Sequence, residues 1–404
     1  MHRHRFGWDI PSRSMFSRVE CKNMNSVRKP PNQKTIVLLG IGHTNAHVLK
    51  QWVDHPIDRC DLVCISPFPI ATYSGMLPGT LGEQFTEEEM QIDLRVMADR
   101  AGATLIVAKA TFIDLDSNQI CFSDHVPVPF DVLSIGIGSM PAGWNEHESS
   151  LIVPTKPMQT FLRRLSERID CASDPKVINK RVAIVGGGVA SVEILLCLHE
   201  HLRKQGRLDQ VQLHLFSRSP SVGDELNARS QETILRLLAE RNIETHFKST
   251  VTQVSDESLT TNNGKTIPFE AVVWATGAAP PIILHQTRLD TDDRGFIATS
   301  DTLQSLSHQH VFAVGDAGTV IRSPAPKAGV TAVRQSPILW HNLRAFIENA
   351  PMKKFRSRKT FLKILNTGDG KGLLDYGWFS FHAKWCWTLK TWIDRRFIRQ
   401  FPSP

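Results

Sequence analysis

The 404-residue chain repeats one hydrophobic pattern. A short apolar run closes on glycine, and a segment of helical period follows. Thr35 to Leu39 is a β-branched and leucine run without polar alternation, as expected of a strand buried on both faces in a parallel sheet. It ends in Gly40-Ile41-Gly42-His43-Thr44-Asn45, after which apolar residues recur at helical spacing. Val182 to Val185 repeats the run and ends in Gly186-Gly187-Gly188, with Ser191 in the third glycine position and Glu193 on the helix that follows. Val211 to Phe216 reads as the next strand. Asp131-VLSIGIGSMP, Glu270-AVVWATGAAPP and His310-VFAVGDAG are further strands, each closing on a turn of small residues. The pattern predicts an α/β fold with two strand–turn–helix units.

Composition narrows the class. Apolar residues make up 41% and charged residues 22%, which excludes collagen-like and wholly disordered chains. At roughly 100–200 residues per domain, two or three domains are expected. No segment attains the ~18 uninterrupted apolar residues of a membrane span. The best candidate, Val182 to Leu198, contains the triple glycine and Glu193, which argues against an integral membrane protein. The net charge of +7 is concentrated at the ends. Residues 1–34 hold eight Lys/Arg against two Asp/Glu, and residues 351–404 hold twelve against three, so the body between is acidic. Residues 1–34 lack the apolar core of a secretory signal. They read as a basic, disordered leader, as a transit-like segment, or as sequence upstream of a true start at Met15 or Met24. Seven scattered cysteines make no disulfide framework and fit a reducing compartment. Cys64, inside an apolar run, reads as a buried inert thiol.

The glycine turns carry the chemistry. Glycine lets the backbone turn sharply and approach a pyrophosphate, which then sits at a helix N-terminus. Asn45 stands where the third glycine belongs, so the first match is imperfect. Two such units in one chain predict two bound dinucleotides. In Gly315-Asp316 the acid can hydrogen-bond a ribitol hydroxyl, which points to a flavin. Neither second strand, Leu62-VCISPF or Leu213-HLFSRSP, ends in the acid that normally takes ribose hydroxyls. Ser217 and Arg218 could instead meet a 2′-phosphate, so NAD(H) and NADP(H) both stay open. His43 and His47 have a metal-ligand spacing. Thr44 stands where the zinc-protease pattern needs glutamate, and there is no evident third ligand. A phosphate-loop or packing role is expected for His43, and no metal.

Together these segments resemble the two-dinucleotide-fold flavoprotein oxidoreductases of the pyridine nucleotide–disulfide oxidoreductase superfamily. Within it the chain is similar to the type II NADH dehydrogenase-like branch, and to the flavoprotein domain fused to some bacterial selenophosphate synthetases. The likeness spans residues 35–400 and is carried by Gly40-IGHTNAHV, Thr72-YSGMLPG, Gln91-IDL, Asp131-VLSIGIGS, Ala275-TG, Val314-GDAG, Pro326-KAGVTAVRQ and Thr367-GDG. It implies two Rossmann-like domains: an FAD domain split over 35–150 and 296–350, an NAD(P) domain at 151–295, and a C-terminal appendage at 351–404. It further implies that Gly40 and Gly42 hold the FAD pyrophosphate. Ser74, Gly75 and Met76 would lie near the isoalloxazine, while Gly138 and Ser139 close over the FAD. Gly315 and Asp316 would take the ribitol region. Lys327, Ala328 and Gly329 would begin a helix under the pyrimidine edge. Gly186 and Gly188 would hold NAD(P)H, and Gly277 belongs to the cofactor-binding set. Glu193, near the nicotinamide, and Gln335, reaching toward the flavin or an acceptor, are the catalytic candidates. The helix after the first turn, Asn45-AHVLKQWVDH, lacks the redox cysteine pair of disulfide reductases.

The implied activity is NAD(P)H:acceptor oxidoreduction with quinone as acceptor. A selenium-linked accessory flavoprotein and a sulfide:quinone-type reductase are the alternatives. The C-terminal end holds four of the nine tryptophans. Trp385, Leu389, Trp392, Ile393 and Phe397 can share one helical face, with Lys384, Lys390, Arg395 and Arg399 mainly elsewhere. That composition fits either an interfacial helix docking residues 378–401 on a membrane or a stripe packed on the protein itself. A cytoplasmic protein, peripheral on the inner face of the membrane, is expected. A homodimer is conceivable, and no nucleic-acid module is visible.

Overall fold

The computed structural model describes residues 33–171, 180–358 and 360–404, so all but the end of the expected leader lies outside the described residues. The first sheet orders as β10-β4-β1-β2-β3. Its strands are β1 (Lys34–Leu39), β2 (Cys60–Ser66), β3 (Thr104–Val107), β4 (Val132–Ile135) and β10 (Val311–Ala313), all parallel. β1 is the centre, and Ile36, Val37 and Leu38 have no exposed surface. That burial on both faces explains why the run shows no alternation. One face carries α1 (His43–Asp54) and α3 (Gly329–Glu348), locked by the edge-on Trp52–Trp340 pair. The other face packs Leu133 and Ile135 against Ile113, Ile120 and Phe122 of a small antiparallel sheet.

The second sheet repeats the plan. Strands β5 (Ile152–Pro154), β6 (Lys180–Val185), β7 (Val211–Phe216), β8 (Glu244–His246) and β9 (Ala271–Trp274) order as β5-β9-β6-β7-β8, again parallel. α2 (Val189–Lys204) follows β6. In each sheet the strand order reverses beside the central strand, between β1 and β4 or between β6 and β9. A crevice opens at such a switch point, and it is where dinucleotides bind in this architecture. Both glycine turns sit there. The expected α/β fold of two Rossmann-like units is thus observed.

The C-terminal end departs from its simplest reading. Phe379–Ala383 is not helical. It is strand β13, paired with β12 (Gly372–Tyr376) and through it with β11 (Lys363–Asn366). The helix, α4, starts at Lys384 and runs to Ile398. Among the described residues no helix is long and apolar enough to cross a membrane.

Candidate active site

The first turn is built around two glycines and an asparagine. Gly40 has φ +79°, and a Cβ there would lie 2.6 Å from the Ile137 Cα. Gly42 precedes α1, and its Cβ would meet the Gly136 carbonyl at 3.2 Å. Asn45 is fully buried and replaces the third glycine with hydrogen bonds. Its Nδ2 donates to the carbonyls of Gly40 (2.8 Å) and Ser134 (3.3 Å), and its Oδ1 accepts from Ser134 Oγ (2.7 Å). The side chain therefore ties the turn to the end of β4. α1 has no side-chain cap, so its first N–H groups remain available to an anion.

The segment after β10 converges on the same place. Gly315, at φ +60°, donates its N–H to Gln335 Oε1 at 2.7 Å. Gln335 is buried and holds the turn from α3. Asp316 accepts from Ser139 Oγ (2.7 Å) and from Lys156 Nζ (3.1 Å). Burial alone would raise the Asp316 carboxyl, but the Lys156 ammonium and the Ser139 hydroxyl hold it below the usual range. Gly138, at φ +75°, has open space where a side chain would stand. Lys327 turns toward Gly318 O (2.7 Å) and Thr319 Oγ1 (2.8 Å), over the Phe296 ring at 4.0 Å. Burial brings its ammonium down to about 8, against the pull of Asp316 and Asp292. Ala328 precedes α3 and Gly329 begins it, with no side-chain cap on that helix.

His43, Ser74 and Gly329 meet. A Cβ on Gly329 would lie 3.6 Å from Ser74 Oγ and 3.8 Å from His43 Nε2. That Nε2 is buried without a partner, and burial lowers the imidazole to about 4, so it is neutral near pH 7. Tyr73 stands edge-on to His43 at 5.3 Å and stacks on Phe397 of α4 at 4.7 Å. Its hydroxyl donates to Asp394 Oδ1 at 2.9 Å. Lys390 Nζ donates to Gly75 O and to Asp394 Oδ2, both at 3.0 Å. Met76 is fully buried behind this group. Glu193, on α2, accepts the Asn366 N–H at 2.8 Å and faces Lys390. Burial raises the Glu193 carboxyl, while Lys390 pulls it back. For Lys390 burial acts downward, but Glu193 and Asp394 outweigh it and raise the ammonium. The structure thus places Glu193 against the C-terminal sheet and α4.

At the second turn, Gly186 has φ +134° and a Cβ there would overlap the Ala275 carbonyl. Gly187, absent from the expected set, packs closely as well, since its Cβ would overlap the Ser217 side chain. Gly188 precedes α2 and faces open space. Glu225 Oε1 approaches the Val189 N–H of α2 at 3.4 Å. Gly277 O accepts the Ala142 N–H at 2.8 Å, holding the turn after β9. Ser217 is buried and Arg218 exposed.

Several site residues escaped sequence reading. Asn45 was visible only as a missing glycine. Lys156 carries no motif, and the pairing of Tyr73 with Asp394 and of Gly75 with Lys390 joins segments remote in sequence. Cysteines contribute nothing to α1. Cys64 is buried in β2, where burial pushes its thiol up to about 12. Cys121 is disulfide-bonded.

The site is therefore that of an oxidoreductase with two dinucleotide folds. Residues 25–341 match the pyridine nucleotide-disulphide oxidoreductase family, and the chain belongs to that family. It is 22% identical over 318 residues to the NADH dehydrogenase-like protein YutJ of Bacillus subtilis, covering 75% of this chain and 81% of the relative. It is 25% identical over 260 residues to the type II NADH:quinone oxidoreductase of Haemophilus influenzae, covering 57% and 59%. Its fold is similar to the sulfide:quinone oxidoreductase of Aquifex aeolicus (TM-score 0.73, 18% identity, 92% of this chain and 93% of the other). It is likewise similar to NDH2 of Plasmodium falciparum in complex with NADH (TM-score 0.75, 14% identity, 91% and 97%).

Proposed function

We propose that the chain is an FAD-dependent NAD(P)H:quinone oxidoreductase. The observation that carries this reading is the convergence of the first glycine turn, Asp316 and the start of α3, beside a helix that has no redox cysteines. Gly40 and Gly42 let the turn pack tightly on Ile137 and Gly136, and the uncapped start of α1 offers N–H donors to a pyrophosphate. Asp316, kept ionised beside Lys156 and Ser139, presents an acceptor to sugar hydroxyls. Gly186 and Gly188 begin the corresponding turn for a nicotinamide dinucleotide, where Glu225 approaches the first N–H of α2. FAD, when bound, supplies a carrier that accepts a hydride and passes electrons on.

The remaining steps belong to the chain's own residues. His43, neutral and edge-on to Tyr73, closes one wall without adding charge. Lys390 Nζ, joined to Gly75 O and Asp394, holds a proton next to the segment expected at the isoalloxazine. Glu193 stands behind it as the matching acid. These two groups would deliver the protons that quinone reduction consumes. The relatives named for quinone reduction support that acceptor. Exposed Trp378, Phe379, Phe381, Trp385 and Trp392 extend from β13 onto α4, among Lys384 and Arg396. This surface suits contact with a membrane, where a quinone resides.

Anaerobic titration with NADH, then NADPH, while following flavin absorbance tests the proposal. Rapid bleaching followed by reoxidation with a short-chain quinone is expected. A bound flavin that neither nucleotide reduces would overturn it. The Thr72-YSGMLPG and Pro326-KAGVTAVRQ segments support a second reading, an accessory flavoprotein of selenium metabolism. It predicts slow NADH-dependent quinone turnover and a neighbouring selenophosphate synthetase gene.

A further inference from the structure

A cluster outside the flavin site has the geometry of a metal centre. His214 lies on β7, and Glu244 and His246 lie on the edge strand β8. The register pairs His214 with Glu244 and Phe216 with His246. Side chains two apart on a strand share a face, so all three project to the same side of the sheet. His214 Nδ1 is 3.2 Å from His246 Nε2. Glu244 places Oε2 3.4 Å from His214 Nδ1 and Oε1 3.3 Å from His246 Nε2.

These separations discriminate between two explanations. A charge-assisted imidazolium–carboxylate hydrogen bond closes to about 2.7–2.9 Å, and neither carboxylate contact does. Donor atoms around a tetrahedral metal, with bonds of about 2.0–2.1 Å, stand about 3.3–3.4 Å apart. The three separations lie near that edge, with Glu244 facing each ring through a different oxygen, and one ligand atom from each residue lies within 4.8 Å of the others. The rings are also held in place: Phe216 stacks on His246 at 4.2 Å, and Phe269 stands edge-on to His214 at 5.0 Å. His214 Nδ1, which faces His246 and Glu244, is the ring atom turned into the cluster, while its Nε2 is buried away from it. Glu244 is exposed, which leaves the remaining coordination position open to solvent.

We propose that His214, Glu244 and His246 bind a divalent transition metal of the zinc type. Two imidazoles and one carboxylate suit such an ion rather than calcium or magnesium, which prefer all-oxygen sets. The metal would clamp edge strand β8 to β7. Ser217 donates its N–H to His246 O at 2.9 Å, and its Oγ abuts Gly187. The site therefore lies directly beneath the loop beside the second glycine turn. It is independent of the acceptor and of flavin reduction.

The test uses the full-length flavoprotein, stripped with chelator and titrated with CoCl2. One equivalent is expected to produce a ligand-field band at wavelengths beyond the flavin absorbance, and ZnCl2 should abolish it by displacement. His246→Gln should remove the band, and Glu244→Gln should weaken binding about tenfold or more. Flavin content reports whether each variant folds, and the exposed Glu244 position keeps the test valid should His246→Gln not fold. Absence of a stoichiometric band in the wild type would overturn the proposal. So would an unchanged band in folded variants, which would mean cobalt held elsewhere, for example at His2 and His4.

Discussion

Gly40 and Asn45 show how single residues shape the first turn. Gly40→Ala would place a Cβ 2.6 Å from Ile137 in a left-handed conformation, a strain of at least about 1–2 kcal/mol before the clash is counted. We expect flavin occupancy on purification to fall roughly tenfold by that measure, read as the flavin-to-protein absorbance ratio. Asn45→Ala strands Ser134 Oγ and the Gly40 carbonyl in a buried site, at about 1–3 kcal/mol for an unsatisfied group. Its melting temperature should drop, with further loss of flavin. His43 gives a pH signature. Its folded value of about 4 lies below the ordinary 6.5, so the unfolded chain binds the extra proton between them. Its contribution is complete above pH 6.5 and is lost as pH falls toward 4, by about 3 kcal/mol at most. The melting temperature of wild type should decline over that window more steeply than that of His43→Leu. Parallel declines would refute the assignment.

At the scale of elements, α4 is the instructive case. The sequence marks its tryptophan stripe as the apolar face and sets Lys390 apart from it. In the structure the inward stripe is Cys386, Lys390, Asp394 and Ile398, spaced by four, with Phe397 beside it. The side chains of Lys390 and Asp394 are only 12% and 5% exposed, whereas Trp385 and Trp392 are 51% and 56% exposed. Charge is buried because Glu193, Tyr73 and the Gly75 carbonyl satisfy it, and these partners come from three distant segments. One face of α4 packs on the protein, and Trp385 and Trp392 lie on its exposed side, where membrane contact is the proposal. Asp394→Asn removes one charge from this group, and we expect slower quinone reduction with NADH-driven flavin bleaching unchanged. Trp385→Ser with Trp392→Ser should abolish co-sedimentation with anionic vesicles while leaving reduction of a water-soluble quinone intact. Persistent vesicle binding would exclude this face.

Across the whole molecule, two five-stranded parallel sheets present two glycine turns at their switch points. The central strands, the glycine turns and the Gly315-Asp316 segment were legible in sequence, whereas Thr104–Val107, Ile152–Pro154, Glu244–His246 and the C-terminal sheet were not. Parallel strands buried on both faces are mostly apolar, and a backbone turning tightly toward a phosphate favours glycine. Those constraints are local, so they leave a local mark. What only the tertiary structure decided is which polar groups meet. Lys156 reaching Asp316, Asn45 standing in for a glycine, Lys390 enclosed beside Glu193, and His214 converging with Glu244 and His246 all depend on contacts between segments remote in sequence. A buried polar side chain is stable only with its partner present. The partner's position is set by packing of the sheets and helices, and no spacing along the chain records it.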